Sequence, residues 1–484
     1  MPDVAHRPAN RWRPALAGSR GAAGLLVTAS VVAALVVPTT AWAQAASPPP
    51  LPAPASPPDV PSGRLSLSGS VRVRIEALDN QFRPGLDRAA SAVFVRSTLL
   101  AQYRAGPAHL AAEIVDARAY RFAGRGILGT NDVNAVELTQ SYLGLDLAGD
   151  RSRGVAARVD IGRFTMDLGS RRLVGRNMFR NTINSFTGIR AQIGAPGTGT
   201  LNAFYTLPHL RLPRDAEGVE DNRVAFDRES FDLSFWGVFA NKPRAVGEAA
   251  LDVYVYGLHE RDSPGVPTRD RQLYTPGARL LTLAAPGRTD FEIEAAYQFG
   301  TASRTAAGAD RPIAVSAWFL HAELGHQFRS AWQPRLSARF DIASGDRPGA
   351  RYTRFDTLFG VRRLDFGPTG LFGPLGRNNI VSPGVKLDVT PGKRWDGFIA
   401  YRAALLESAT DSFSSTGVRD PSGGAGRFAG HQVETRARYW ITPKLLRADV
   451  GGAVLINGDF LQRAANANRR SSPLFGYVDL TATF

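Results

Sequence analysis

In SVRVRIEAL, residues 70–78, the charged side chains Arg72, Arg74 and Glu76 alternate with Val71, Val73 and Ile75. A guanidinium is a planar fork of donors matched to a carboxylate, so arginines repeated along one face can line a path for acidic solutes or pair with acids of their own chain. The same grammar recurs. Arg96 and Arg104 lie in FVRSTLLAQYR (94–104), Arg158 in AARVDIGR (156–163), Arg190 in GIRAQIG (188–194) and Arg339 in RLSARFDIA (335–343). In HQVETRARYWI (431–441), Gln432, Glu434, Arg436 and Arg438 share one face against Val433, Ala437 and Tyr439. Arg72, Arg74, Glu76, Arg96, Arg104, Arg158, Arg190, Arg339, Glu434, Arg436 and Arg438 are thus the candidate residues of a solute path.

Catalytic motifs are absent: the chain holds no H-E-x-x-H, no Walker loop and no G-x-S-x-G. It has no cysteine, which excludes thiolate metal sites, thiol nucleophiles and disulfides. His321 and His326 in FLHAELGHQF are five apart, hence on opposite faces of a strand and not placed to share a metal. Gly197 and Gly199 in GAPGTGTL look like a fragment of a phosphate loop but fall between two strand-like runs, where a turn is expected. No cofactor or metal is expected, and the chain reads as a non-enzyme. A hydrolase whose Ser and His come from neighbouring strands is the alternative that sequence leaves open.

The elements that carry these side chains must be strands, since the apolar and charged positions repeat every two residues. A mean hydropathy of −0.16 is too polar for a helical membrane protein, and beyond the first forty residues no apolar run approaches the ~20 that a spanning helix needs. Arg7, Arg11, Arg13 and Arg20 precede the apolar GAAGLLVTASVVAALVV (21–37), then Pro38 and AWA (41–43), a pattern that predicts a secretory signal peptide at 1–43. Its loss would leave the formal charge of +15 three lower and still strongly basic. A secreted chain seldom meets nucleic acid, so the expected partner is an anionic extracytoplasmic solute or a lipid surface. Residues 44–63, rich in proline, read as an extended periplasmic linker.

From residue 64 onward the strands are long, with TLNAFYTL (200–207), LDVYVYGL (251–258), FEIEAAYQFG (291–300) and PLFGYVDLTATF (473–484) added to those above. Short turns at WQPR (332–335), TPGK (390–393) and TPK (442–444) alternate with long polar stretches at 344–379, 407–430 and 457–472. Trp332, Trp395, Tyr439 and Trp440 stand beside the turns, as an interfacial girdle requires. Leu474, Val478, Leu480, Ala482 and Phe484 share one face of the last strand. Together these features predict an all-β fold: a transmembrane antiparallel barrel occupying 64–484, of about 16–18 strands at roughly 23–26 residues per strand and connection.

IGRFTMDLGSRRLVGRNMFRNTINSFTGIR (161–190), YTPGARL (274–280), EAAYQFG (294–300), WQPRLSARFDIASGD (332–346) and HQVETRARYWITPKLLRADVGGAVLINGDFL (431–461) resemble the alginate export outer-membrane family. The resemblance implies a monomeric pore in the Gram-negative outer membrane, lined by arginines, that passes a polyuronate passively and has periplasmic export partners. A porin for small anionic or aromatic solutes is the alternative within channels. In residues 161–190 the expectation is two strands with Arg158, Asp160, Arg190 and Gln192 inward, joined by a connection that carries Arg171, Arg172, Arg176 and Arg180. A solvated loop in contact with no solute is the competing reading of that connection.

Overall fold

The computed structural model describes residues 63–484 except 125, 148–155, 196, 264–267, 307–310 and 469–470. The expected signal peptide and, apart from Gly63, the expected linker lie outside these residues.

Eighteen strands form one antiparallel sheet in which each strand pairs with its sequence neighbours. They are β1 (Leu65–Asp79), β2 (Ala90–Ala105), β3 (Ala108–Ala123), β4 (Asn134–Leu147), β5 (Ala156–Phe164) and β6 (Phe186–Ala195). Then come β7 (Gly199–Pro208), β8 (Leu233–Val246), β9 (Ala249–Glu260), β10 (Gln272–Leu281), β11 (Arg288–Ala302) and β12 (Ile313–Gln327). The last six are β13 (Arg335–Ala343), β14 (Ile380–Gly392), β15 (Trp395–Leu405), β16 (Phe428–Thr442), β17 (Leu446–Asn457) and β18 (Leu474–Thr483). β18 pairs with β1, Val73 opposite Leu480, which closes the barrel and leaves no edge. The strand count falls at the upper end of the expected range.

Parity along each strand decides what faces where. On β1, Val71, Val73 and Ile75 are 43%, 40% and 55% exposed, whereas Arg72, Arg74 and Glu76 are buried. A bilayer covers the first set and the lumen holds the second, because only the lumen offers the charged groups partners. Trp332 and Trp395 are exposed at the short-turn rim, and Trp395 packs on its cross-strand neighbour Tyr439 with ring centroids 4.4 Å apart. Trp440 departs from the expected girdle. Alternation puts it on the inward face with Arg438, and its ring lies 5.5 Å from the Arg447 guanidinium.

Connections between odd-numbered strands and their successors are long, such as 165–185, 209–232, 344–379 and 406–427, while those on the opposite end include two-residue turns at 106–107, 247–248 and 393–394. Short periplasmic turns and long outer loops set the orientation. Gly197 and Gly199 fall in or at the end of the β6–β7 turn, at φ +76° and +133°, where a side chain would be strained.

Two long loops fold inward. Val174 of the β5–β6 loop bridges Phe359 of the β13–β14 loop in parallel, with Phe359 N–H donating to Leu173 O at 3.0 Å. Their apolar side chains pack on the wall: Phe359 on Phe235 at 4.9 Å, Phe355 on Phe319 at 5.0 Å, Phe372 stacked on Phe475 at 5.4 Å. The barrel therefore has a core inside its lumen. The loop 165–185 is packed and not simply solvated: Leu173 and Val174 are buried in that core, and Ile183 is buried with Val115 and Ala117.

Candidate solute path

The eleven candidates lie around the wall from β1 to β16, and most are tied to other wall residues. Arg74 Nε sits 2.9 Å from Asp479 and its Nη1 3.3 Å from Glu76. Arg158 and Arg190 both contact Asp160 at 2.6 Å, Arg104 pairs with Asp146 at 3.2 Å, and Arg339 with Glu323 at 2.8 Å. Arg436 and Arg438 share Asp396 at 3.0 and 2.9 Å, and Glu434 takes Arg363 at 2.5 Å. Glu76 accepts from Leu371 N–H at 2.9 Å, clamping the inward β13–β14 loop. Arg72 and Arg96 reach the β5–β6 loop, each donating to Met178 O, at 2.9 and 3.1 Å. Arg72 keeps Asp479 at 3.7 Å, and Arg96 makes no ion pair among the described residues.

A paired guanidinium presents little net charge to a solute, so uncompensated charge must be sought elsewhere. Besides Arg96, it lies on the loops. Arg180 and Arg211 grip the same two oxygens: Arg180 donates to Asn131 Oδ1 at 3.0 Å and Asn184 Oδ1 at 2.6 Å, Arg211 to the same atoms at 3.1 and 3.0 Å. Their Nε atoms donate to Thr182 O at 3.2 Å and Thr130 O at 2.8 Å. Each guanidinium carries five N–H groups, so two on each remain for a further acceptor. Arg83 donates to Leu371 O at 2.9 Å and to Phe372 O, and the Arg362 guanidinium has no hydrogen-bond or ion-pair partner among the described residues.

Burial, reinforced by neighbouring arginines, holds Arg180 well below the ordinary arginine value and brings Arg83 down to about 10. Burial likewise lowers Arg211 and Arg362. All still carry their charge at neutral pH. Two acids face them: Asp132, which burial and then the Glu76 carboxylate push up to about 7, and Asp227 beside Arg211, which burial and then the Glu137 carboxylate push up to about 6. This is a strongly positive cluster beside the inward loops.

The sequence model for alginate export matches residues 63–475. The chain belongs to the alginate export family. No curated protein matches the sequence. Among solved structures this alginate export barrel is similar to Pseudomonas aeruginosa OccK2 (OpdF) in complex with glucuronate, at 11% identity and TM-score 0.53. It is also similar to OccK8 (OprE) of the same organism, at 10% and 0.54. In both cases 87% of this chain and 98% of the other are covered. The family and fold are those of outer-membrane channels, and the protein is a Gram-negative outer-membrane barrel.

Among the described residues of the alginate export barrel, two groups combine His with carboxylates: Glu137, His209 and Asp227, and His321, Asp341 and Asp365. Arginines already hold these acids, Arg163 on Glu137 at 2.6 Å, Arg402 on Asp341 at 2.7 Å and Arg172 on Asp365 at 3.0 Å. A cation there would meet like charge. His321 Nδ1 lies 2.7 Å from Asp341 in the lumen, while His326 contacts Thr289 Oγ1 at 3.0 Å on the other face of β12.

Arg83, Arg211 and Arg362 escape a reading by alternation, because they sit in loops where no period marks a face. Arg180 was visible in the arginine-dense 161–190 stretch, without its neighbours.

Proposed function

We propose that the barrel is a passive, anion-selective outer-membrane channel for carboxylated sugars, with the small uronate as its best-fitting solute, and that it performs no catalysis. The Arg180–Arg211 pair carries this reading. Two guanidiniums fixed by shared asparagines, with free donors and no carboxylate partner, suit a solute carboxylate in a site of reduced dielectric. The lumen candidates, Arg72, Arg74, Glu76, Arg96, Arg104, Arg158, Arg190, Arg339, Glu434, Arg436 and Arg438, then serve as a balanced polar wall along which the solute exchanges contacts. The glucuronate-bound OccK2 barrel supports the solute class, since a uronate bears one carboxylate and several hydroxyls.

Family membership favours a second reading, export of a polyuronate such as alginate by a single barrel working with periplasmic partners. The inward loops and their apolar core favour the small solute, because a polymer needs a continuous opening. Planar-bilayer recording separates the two. Anion-selective reversal potential with chloride current reduced by glucuronate and unaffected by polymannuronate is the expected result. Block by polymannuronate alone would establish the polymer reading, and cation selectivity would overturn both.

A further inference from the structure

Outside the lumen, the short-turn rim of β10–β18 sets exposed cations beside aromatic side chains. Its four turns, 282–287, 328–334, 393–394 and 443–445, contain no acidic residue. They are joined into one arc by backbone hydrogen bonds: Thr390 N–H donates to Trp332 O at 2.7 Å, Trp440 N–H to Arg394 O at 2.9 Å, and Thr483 N–H to Leu445 O at 2.7 Å. Arg329 Nε adds a link to Pro286 O at 3.1 Å. The side chains of Lys393, Arg394 and Lys444 are exposed and have no ion-pair partner among the described residues. Of the four lysines after residue 63, three stand at this end of the barrel: Lys242, Lys393 and Lys444.

The opposite rim is built differently. Its exposed arginines are of both kinds: Arg261 pairs with Asp232 at 2.5 Å, Arg88 with Asp79 at 3.4 Å and Arg463 with Asp459 at 3.7 Å, whereas Arg214, Arg228, Arg351 and Arg419 make no ion pair among the described residues. What sets the short-turn arc apart is that its turns carry cations without acids, while the long loops of the opposite rim mix both signs.

Between these cations stand Trp332, 53% exposed, Trp395, 49%, and Leu445, 49%, with Trp395 packed at a tilt on Tyr439 on the lipid-facing side. Indoles place an apolar body against acyl chains and a polar edge at headgroup level, and lysine stems extend along the same boundary to bring the ammonium to the phosphates. We infer that this arc binds anionic phospholipid headgroups of the periplasmic leaflet, with Lys393, Arg394 and Lys444 meeting the phosphates and Trp332 and Trp395 seated at the glycerol level. A fluid leaflet follows a curved arc continuously, whereas an acidic soluble protein would leave the aromatic girdle unused.

The test reconstitutes the full barrel in phosphatidylcholine vesicles containing an equal fraction of either dibrominated phosphatidylglycerol or dibrominated phosphatidylcholine, and compares quenching of tryptophan fluorescence. Stronger quenching by the anionic lipid is expected, with local enrichment on the order of fivefold per cation. Lys393→Glu, Arg394→Glu and Lys444→Glu together abolish the difference; the corresponding Gln substitutions reduce it, and Arg463→Glu on the opposite rim leaves it intact. Heat-modified gel mobility verifies that each variant is folded. Equal quenching of the wild type by both lipids, the result for a rim reserved for an acidic protein, overturns the inference, as does a difference that survives charge reversal. Neither result bears on selectivity of the lumen.

Discussion

Asp365 closes a two-armed pair on Arg172, with Nε and Nη2 each 3.0 Å from a carboxylate oxygen. The two residues belong to the two inward loops, so this pair locks one loop to the other, and Arg172 Nη1 anchors both to Glu294 on β11 at 2.7 Å. Buried Arg377 makes a further contact to Asp365. Breaking a buried pair by removing one member costs about 3–5 kcal/mol, because the remaining charge is stranded. Asp365→Asn is expected to unseat the β13–β14 loop intermittently and convert a steady single-channel current into a flickering one. A steady trace from this variant would show that the aromatic contacts of Phe355, Phe359 and Phe372 suffice.

Acidification tests the same lock with the opposite expectation. Burial raises the Asp365 carboxyl, but Arg172 and Arg377 outweigh it and hold the group well below the usual carboxylate range. A depressed folded value means that its stabilisation is fully present above the ordinary value of about 3.9 and is lost only as pH falls through the lower folded value. Channel noise should therefore not change between pH 7 and pH 5, which recordings at the two values check.

Asp132 has the reverse sign. Its carboxyl is pushed up to about 7, so its stability contribution is full below about 3.9 and is lost as pH rises through the folded value. Protonation also removes the negative charge beside Arg83 and Arg180. Anion preference is expected to be greater at pH 6 than at pH 8, and Asp132→Asn should sharply reduce the pH dependence of the reversal potential over that range.

Arg180→Gln with Arg211→Gln removes two charges that make no ion pair with a carboxylate among the described residues, and the chloride-to-potassium permeability ratio should fall several-fold. The wall pair gives the control. Arg339→Gln with Glu323→Gln deletes an ion pair at 2.8 Å without changing net charge and should leave the ratio where it was. An equal effect from both doubles would remove the loop arginines from their assigned role.

Gly370 sits at φ +74°, and a Cβ there would stand 2.4 Å from Glu76 Oε2. Gly370→Ala thus meets backbone strain of order 1–3 kcal/mol and displaces the acceptor of Leu371 N–H. Faster amide exchange over residues 369–373, with the barrel strands unchanged, is the expected signature.

Alternation is a local property, and it made the barrel wall readable. Val71 to Glu76 already assign one face to lipid and one to the lumen, since an arginine on the lipid face at mid-bilayer costs about 2–4 kcal/mol. The turn and loop lengths were readable for the same reason, as the 344–379 stretch coincides with the gap between β13 and β14. Alternation was not enough for Trp440, where turn proximity pointed to lipid and parity placed it inward.

What the residues by themselves determined is the outer scaffold: strands, their facing, a polar lumen and the family. Tertiary structure alone decided which charges remain free. Arg74 finds Asp479 across 405 positions, Arg172 finds Asp365 across 193, and Arg211 meets the acceptors of Arg180 from another loop. An ion pair needs two groups within about 4 Å, and where they are brought together by loops folded through a closed sheet, no local pattern records the encounter.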